Sequence, residues 1–211
     1  MVRSAFLFGV TVVAVFLFAA TTALGGGKYT AKGLWVEGCS CMGVCPCELT
    51  GLKDGCEGVG AVSFDKGSSY MGKNLTGAKV AYATVPGKWI RFYVDAKDPE
   101  VNKAARDFAA VVFKDFGKVE SVADAKVDIT GAKGKYSVMV DDGNIAKFQT
   151  EPVMGGDKKT PVSHGNIMNP LVPTVMQGKT ITASYKDGDK SMTLEGSNSY
   201  FNEHMNSKGE L

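Results

Sequence analysis

The sequence lacks most of the patterns by which an enzyme is recognised. Its 211 residues include only two histidines, and they contain no glycine-rich phosphate loop and no His-Glu-x-x-His motif. No nucleophile lies at a recognisable spacing from a general base. The sequence therefore gives no support to hydrolase chemistry and favours a role that is not enzymatic.

A strong net charge is also missing. Lysine and arginine number 24 against 22 aspartate and glutamate, which leaves a formal charge of +2. Basic residues such as Lys158 and Lys159 are interspersed with acidic ones, so they form no stripe of the kind that binds a polyanion. We therefore expect no nucleic-acid partner and no electrostatic attraction to a membrane surface.

Only one long hydrophobic run is present, and it lies at the N-terminus. Arg3 precedes an apolar stretch from Ala5 to Ala20, and small residues follow it. This pattern predicts a signal peptide over residues 1–23, cleaved after Ala23 or, as a second choice, after Gly25. An uncleaved transmembrane helix is the alternative, because the run approaches the roughly 20 residues that span a bilayer.

If the signal is cleaved, the mature protein has no stable membrane anchor and is periplasmic or secreted. Residues 24–28 are then a flexible linker, since three consecutive glycines occupy 25–27. Residues 29–211 fit the size of a single domain.

One helix is predicted from Asp98 to Gly117. Asp98 is a suitable N-cap and Pro99 suits the first helical position. An apolar stripe with helical spacing follows, and it is expected to pack on a sheet: Val101, Ala105, Phe108, Val112 and Phe116.

The remaining pattern is that of β-strands joined by tight turns. Asp142-Gly143 and Asp187-Gly188 are hairpin signals, and adjacent hairpins imply antiparallel pairing. The fold class is therefore α+β, a mainly antiparallel sheet or partly closed barrel with one principal packed helix. The predicted strands are 29–38, 60–64, 78–84, 88–94, 119–129, 135–140, 144–148, 179–185 and 191–194.

All five cysteines fall in one short segment, at positions 39, 41, 45, 47 and 56. In an extended segment, residues two apart project to the same side, so Cys39 with Cys41 and Cys45 with Cys47 each form a pair of sulfurs. Gly43 permits the chain to reverse between the pairs, and Pro46 restricts the second pair. Such a set of thiolates suits a soft metal, namely Cu(I), zinc or an iron–sulfur cluster.

Cu(I) is the expected ion and zinc is less favoured. The chain has no Cys-x-x-Cys sequence, which zinc fingers and thioredoxin-type oxidoreductases use. The predicted ligands are Cys39, Cys41, Cys45, Cys47 and Cys56, with Met42 as an auxiliary thioether and His204 and Met205 as weaker candidates. The protein would buffer metal or deliver it to an unknown protein partner.

Two alternatives remain open. An exported protein can form disulfides, so the cysteines could staple a structural or ligand-binding module that holds no metal. Because a disulfide between cysteines two apart is strained, pairs such as Cys39 with Cys45 or Cys47 with Cys56 are preferred. The third possibility is thiol–disulfide exchange, which requires an unusually acidic thiol among Cys45, Cys47 and Cys56.

The segment from Trp35 to Cys47 resembles the signature of the family called domain of unknown function 1326. That signature is an aromatic-bearing strand, a glycine, Cys-x-Cys, a short spacer and Cys-Pro-Cys. The likeness extends to further elements over most of the mature chain: Pro86-Gly87, Asp95, the helix at 98–117, the loop at 164–170 and the segment Gly196-Ser-Asn198-Ser-Tyr200-Phe201.

This chain departs from the family at Thr50-Gly51-Leu52, where relatives tend to carry more prolines, and in having a signal peptide. Many relatives look cytosolic, where disulfides are reduced. The resemblance therefore implies metal ligation, and not stapling, as the general purpose of the cluster. Because this family has no established activity, the resemblance assigns the chain to a type of domain and does not assign it a function.

Overall fold

The computed structural model describes residues 27–51 and 55–211, and the predicted signal peptide lies outside them. The described chain is mainly β-sheet with one principal helix, as predicted. Its α-helices are α1 (Pro46–Thr50) and α2 (Pro99–Val112), and a short 3-10 helix spans Asp141–Gly143. Its strands are β1 (Lys28–Cys39), β2 (Gly58–Phe64), β3 (Ser69–Tyr70), β4 (Lys73–Asn74), β5 (Lys79–Val85), β6 (Trp89–Asp95), β7 (Lys118–Asp124), β8 (Val127–Ala132), β9 (Lys135–Val140), β10 (Ala146–Pro152), β11 (Ser163–Gly165), β12 (Thr174–Asp187), β13 (Lys190–Glu195) and β14 (Asn198–Glu210).

The strands form one hydrogen-bonded sheet in the order β7-β6-β5-β2-β1-β14-β12-β10-β9-β8, with the short strands and β13 attached beside this path. Every ladder is antiparallel except β6 with β7, which is parallel. Strands β7 and β8 end the order and do not pair with each other among the described residues. The sheet is therefore mixed and not closed, and of the two architectures expected from the sequence the structure shows the mainly antiparallel sheet.

Helix α2 covers one face of the sheet. Asp98 caps it by accepting hydrogen bonds from the backbone amides of Glu100 and Val101, as predicted. The ring of Phe108 lies 5.6 Å from that of Phe64 and 5.4 Å from that of Tyr70. Four members of the predicted stripe are buried: Val101, Ala105, Phe108 and Val112.

The helix ends at Val112, earlier than the predicted stop at Gly117. Phe113 leaves the helical conformation and packs its ring 5.3 Å from that of Tyr82, which keeps both rings in the core. Gly117 serves a different purpose, because a Cβ there would lie 3.0 Å from the backbone nitrogen of Trp89. It permits a close approach of two chain segments.

On the opposite face, the sheet folds over so that its two halves pack against each other. One half contains β1, β2, β5 and β6, and the other contains β8, β9, β10, β12 and β13. Lys79 of β5 donates to the carbonyl of Val127 on β8 at 2.8 Å, and the Val127 amide donates to Asp95 of β6 at 3.0 Å. Apolar side chains from both halves form a second core between them: Val36, Ala61, Ala81 and Tyr93 from one half, and Val138, Phe148, Tyr185 and Leu194 from the other.

Arg91 of β6 joins the two halves at the edge of this second core. Its guanidinium donates to the carbonyl of Asp187 at 2.8 Å and to the carboxylate of Asp189 at 2.9 Å. Beside it, the hydroxyls of Tyr93 and Tyr185 lie 2.8 Å apart. The folded-over arrangement is thus held by polar contacts as well as by apolar packing.

Two predictions about strands were wrong. The predicted strand at 119–129 is two strands, because β7 pairs with β6 and the chain then turns at residues 125–126 to begin β8. Strand β14 was not predicted at all. Polar residues fill most of its length, so it lacks the alternation that identifies a strand, yet it pairs with β1 from Lys28 to Gly38.

Gly60 provides a test of packing beside the cysteine segment. It lies opposite Tyr82 in the β2–β5 ladder, and a Cβ there would lie 2.7 Å from Cε1 of Tyr82 and closer still to the end of the ring. We expect Gly60→Ala to lower the free energy of unfolding by about 1–3 kcal/mol, because the buried ring must move. Chemical denaturation measures this.

Gly156→Ala is the matched control, since among the described residues no atom outside its two chain neighbours lies within 4 Å of a Cβ at that position. It is expected to change stability by less than about 0.5 kcal/mol. Equal effects of the two substitutions would contradict the packing of Tyr82 described here.

Candidate functional site

The cysteine segment begins where β1 ends. Trp35, Glu37 and Cys39 alternate along β1 and face the side of the sheet that α2 covers, as the period of a strand requires. Cys41 follows the strand, and its carbonyl accepts a hydrogen bond of 2.9 Å from the backbone amide of Asn198. The first pair of cysteines is therefore fixed by the pairing of β1 with its neighbours.

The second pair of cysteines does not lie in an extended segment. Gly43 adopts a φ of +74°, which allows the predicted reversal of the chain. Pro46 then occupies the first turn of α1, with Cys45 as the residue before the helix. The extended geometry expected for this pair is therefore wrong, because Cys47 lies on α1 and Cys45 precedes it, although both residues line the same cavity.

Three sulfurs nevertheless converge. The Sγ atoms of Cys39, Cys41 and Cys45 all lie within 4.8 Å of one another, and those of Cys41 and Cys45 are 3.6 Å apart. Three sulfurs bound to one metal at about 2.3 Å would be about 4 Å apart. All three side chains are buried. Among the described residues, this is the one group of histidine, cysteine and acidic side chains found at such spacing.

Cys41 also forms a disulfide with Cys56. This pairing was not among those preferred from the sequence. The ladder between β1 and β2 ends with Cys39 opposite Gly58, and continuing that register by two residues places Cys41 opposite Cys56. Their Cα atoms are 6.1 Å apart, within the ordinary range for a disulfide.

The other predicted ligands lie outside the group of three sulfurs. Met42 is 78% exposed at the tip of the loop, and Cys47 is buried on α1. His204 is exposed and Met205 is buried about halfway along the β1–β14 pair, where Met205 lies opposite Gly33. That is about 20 Å along the strand from the position opposite Cys39. The structure does not bring His204 or Met205 to the cysteines.

Two residues at the start of β14 contact the cluster and were missed as candidates. The Tyr200 hydroxyl accepts a hydrogen bond of 3.1 Å from the backbone amide of Cys45. The side-chain amide of Asn198 donates to the sulfur of Cys39 at 3.5 Å. Both lie in the segment that carries the family resemblance, which was the signal that could have indicated them.

His164 contacts the residues that surround the cysteines. Its ring packs against that of Tyr200 with centroids 5.6 Å apart, and its Nε2 is 2.9 Å from the side-chain oxygen of Gln177. Gln177 in turn donates to the side-chain oxygen of Asn198. His164 therefore supports the residues that hold the cysteines and is not itself beside the sulfurs.

Two buried carboxyl groups, Glu37 and Glu48, lie next to the cysteines. The hydroxyl of Tyr82 accepts a hydrogen bond from the indole of Trp35 at 3.2 Å and donates to Glu37 at 3.1 Å. Burial, followed by the nearby charge of Glu48, raises the pKa of Glu37 well above its usual range. Burial raises the pKa of Glu48 to about 7, although Asn169 and Glu37 oppose the increase.

The pKa of the Cys45 thiol is also raised. The larger cause is its hydrogen bond with Cys39, and burial adds to it. A metal-free Cys45 is therefore held as a thiol.

A small cavity of about 30 Å³ opens beside these groups, and its far wall is apolar. This volume is enough for one or two water molecules. Glu48 Oε2 has no hydrogen-bond partner among the described residues. The cavity is lined on its polar side by Glu37, Cys39, Cys45, Cys47, Glu48 and Cys56.

No protein-family model matches this chain, and no curated protein matches it either. The solved structures that are similar in part include two acetoacetate decarboxylases. A structure of acetoacetate decarboxylase aligns with a TM-score of 0.41 at 8% identity, covering 89% of each chain. The acetoacetate decarboxylase of Legionella pneumophila aligns with a TM-score of 0.40 at 10% identity, covering 89% of this chain and 88% of the other. At these scores the likeness carries no structural or functional conclusion.

The described residues contain no helix with the length and hydropathy needed to cross a membrane. Membership of the domain of unknown function 1326 family and the export of the protein stay predictions.

The raised pKa of Glu48 leads to a prediction about stability. An acid whose pKa is higher in the folded than in the unfolded state stabilises the fold below its unfolded pKa and loses that contribution as pH rises. We expect Glu48 to contribute a fall of roughly 2 kcal/mol in the free energy of unfolding of the oxidised protein between pH 5 and 8. Because the pKa of Glu37 is raised as well, Glu48→Gln should reduce the decline without abolishing it, as denaturation at each pH would measure.

Glu195→Gln is the control, because Glu195 is exposed and stays in water on folding. It should leave the pH dependence unchanged. A decline that is the same in the wild type and in Glu48→Gln would show that Glu48 is not its source.

Proposed function

We propose that this protein binds a soft metal ion, with Cu(I) as the expected ion, through the thiolates of Cys39, Cys41 and Cys45. It would act outside the cytoplasm, where the predicted signal peptide directs it, and would buffer the metal or deliver it to a protein partner. The observation that carries the proposal is the convergence of three buried sulfurs within 4.8 Å of one another.

The chemistry of the donor set supports a soft ion. Thiolates select Cu(I), zinc and iron–sulfur clusters over hard cations. A structural zinc site almost always has four ligands. The group found here supplies three sulfurs, and Cu(I) is satisfied by three. Zinc is therefore the less favoured ion.

The surroundings of the sulfurs also support a role for the cluster beyond packing. Asn198 donates to Cys39, and Tyr200 holds the backbone of Cys45. Partners that orient metal ligands in this way commonly change metal affinity by about 10- to 100-fold when they are removed.

The second candidate function is a disulfide-stapled module that holds no metal, and the Cys41–Cys56 disulfide favours it. The third, thiol–disulfide exchange, needs an acidic thiol. The raised pKa of Cys45 argues against that residue as its nucleophile.

Metal titration of the fully reduced protein tests the proposal. We expect it to bind one Cu(I) per chain in competition with a chromophoric Cu(I) chelator under anaerobic conditions. Cys39→Ser and Cys45→Ser should each weaken binding by at least about 100-fold, since a lost ligand should cost at least as much as a lost orienting partner.

Cys47→Ser and Met42→Leu are the matched controls, because both residues lie in the same segment but outside the group of three sulfurs. Each should change the affinity for Cu(I) by less than about threefold. Removing a residue that orients a metal ligand commonly costs about 10-fold or more. If the reduced wild type binds no Cu(I), or if Cys45→Ser binds as well as the wild type, the proposal fails. A large loss in Cys47→Ser would instead support the prediction from the sequence that Cys47 is also a ligand.

A further inference from the structure

The sulfur of Cys41 belongs to two arrangements at once. It is bonded to the sulfur of Cys56, and it also lies within 4.8 Å of the sulfurs of Cys39 and Cys45. A soft metal binds the thiolate of a cysteine, and a disulfide sulfur carries no such charge. The two arrangements therefore exclude each other.

We propose that the Cys41–Cys56 disulfide is a redox gate on the metal site, and that a dithiol reductant opens it by attacking Cys56. This inference rests on the function proposed above and adds its regulation. In the oxidised protein the site has two thiols and cannot hold the metal tightly. In the reduced protein it has three.

Burial indicates which sulfur the reductant reaches. Cys39, Cys41 and Cys45 are each at least nine-tenths buried, whereas Cys56 is only partly buried and lines the cavity. Exchange depends on access to the sulfur that is attacked. Cys56, the less buried partner of the disulfide, is thus the point of entry.

The reaction balances without a further oxidant or reductant. A thiolate of the dithiol attacks the sulfur of Cys56, which breaks the bond to Cys41 and releases Cys41 as a thiolate beside Cys39 and Cys45. The second thiol of the reductant then attacks the mixed disulfide. The reductant leaves as its own disulfide, and Cys56 takes up a proton as it becomes a thiol.

The backbone keeps Cys41 in position after the disulfide opens. The amide of Ser40 donates to the carbonyl of Glu57 at 2.8 Å, and the amide of Glu57 donates to the hydroxyl of Ser40 at 2.8 Å. The amide of Asn198 holds the carbonyl of Cys41 from the other side. None of these bonds involves the disulfide, so reduction leaves the sulfur of Cys41 near its two neighbours.

The test compares Cu(I) affinity in the two redox states. Oxidised and reduced wild type are separated, their thiol counts are confirmed by intact mass after alkylation, and each is titrated anaerobically against a chromophoric Cu(I) chelator. We expect the oxidised form to bind at least about 100-fold more weakly. Equal affinity in the two forms overturns the gate, whereas absence of binding in the reduced form overturns the proposed function itself.

Cys56→Ser is the decisive variant because it removes the gate and keeps all three ligands. Without added reductant it should bind Cu(I) as tightly as the reduced wild type. Cys47→Ser, which keeps the Cys41–Cys56 disulfide, should still depend on reduction. If Cys56→Ser depends on added reductant to the same degree as the wild type, the gate is overturned.

The point of entry is tested by trapping. A thioredoxin whose second active-site cysteine is replaced by serine forms a mixed disulfide with its target and cannot resolve it. Peptide mapping of the trapped complex should locate the link at Cys56. A link at Cys41 contradicts the proposed entry.

Discussion

The pairing of the first strand with the last is the constraint on which the rest of the structure depends. Strands β1 and β14 lie side by side at the centre of the sheet, although they come from opposite ends of the described chain. Their register places Ser199 opposite Gly38, and this brings Asn198 and Tyr200 against the cysteines. Without this pairing, the cysteine segment would be a loop attached to the end of one strand.

The neighbouring ladder between β1 and β2 determines the chemistry of the segment. It aligns Cys41 with Cys56, while the local fold of the chain brings Cys45 back to Cys41. The sulfur of Cys41 consequently has a covalent partner on one side and two potential co-ligands on the other. Because Cys41 is buried, few reagents reach its sulfur. Its state, disulfide or thiolate, therefore changes only when a reagent reaches the disulfide.

Periodicity predicted the regular parts of the fold well, since those parts are stabilised by a repeating apolar face. The cap at Asp98 is confirmed, and so are four of the five predicted members of the stripe, since Phe116 lies beyond the end of α2 and is only partly buried. The early end of the helix could not be predicted, because it depends on the distant ring of Tyr82 against which Phe113 packs. Strand β14 could not be predicted either, since its partner, and not its own polar sequence, makes it a strand.

By itself, the sequence determined that five cysteines lie within one short segment after a strand, that no Cys-x-x-Cys is present, and that one amphipathic helix packs on a sheet. These properties depend on local spacing. Only the tertiary structure decided which sulfurs meet. Pro46 begins a helix that contains Cys47, which lies outside the group of three sulfurs. Strand register, which sequence spacing does not encode, sets Cys41 opposite Cys56 and leaves His204 and Met205 far from the cluster. The physical reason is that strand register is fixed by pairing along whole ladders, whose energy comes from contacts that no short segment contains.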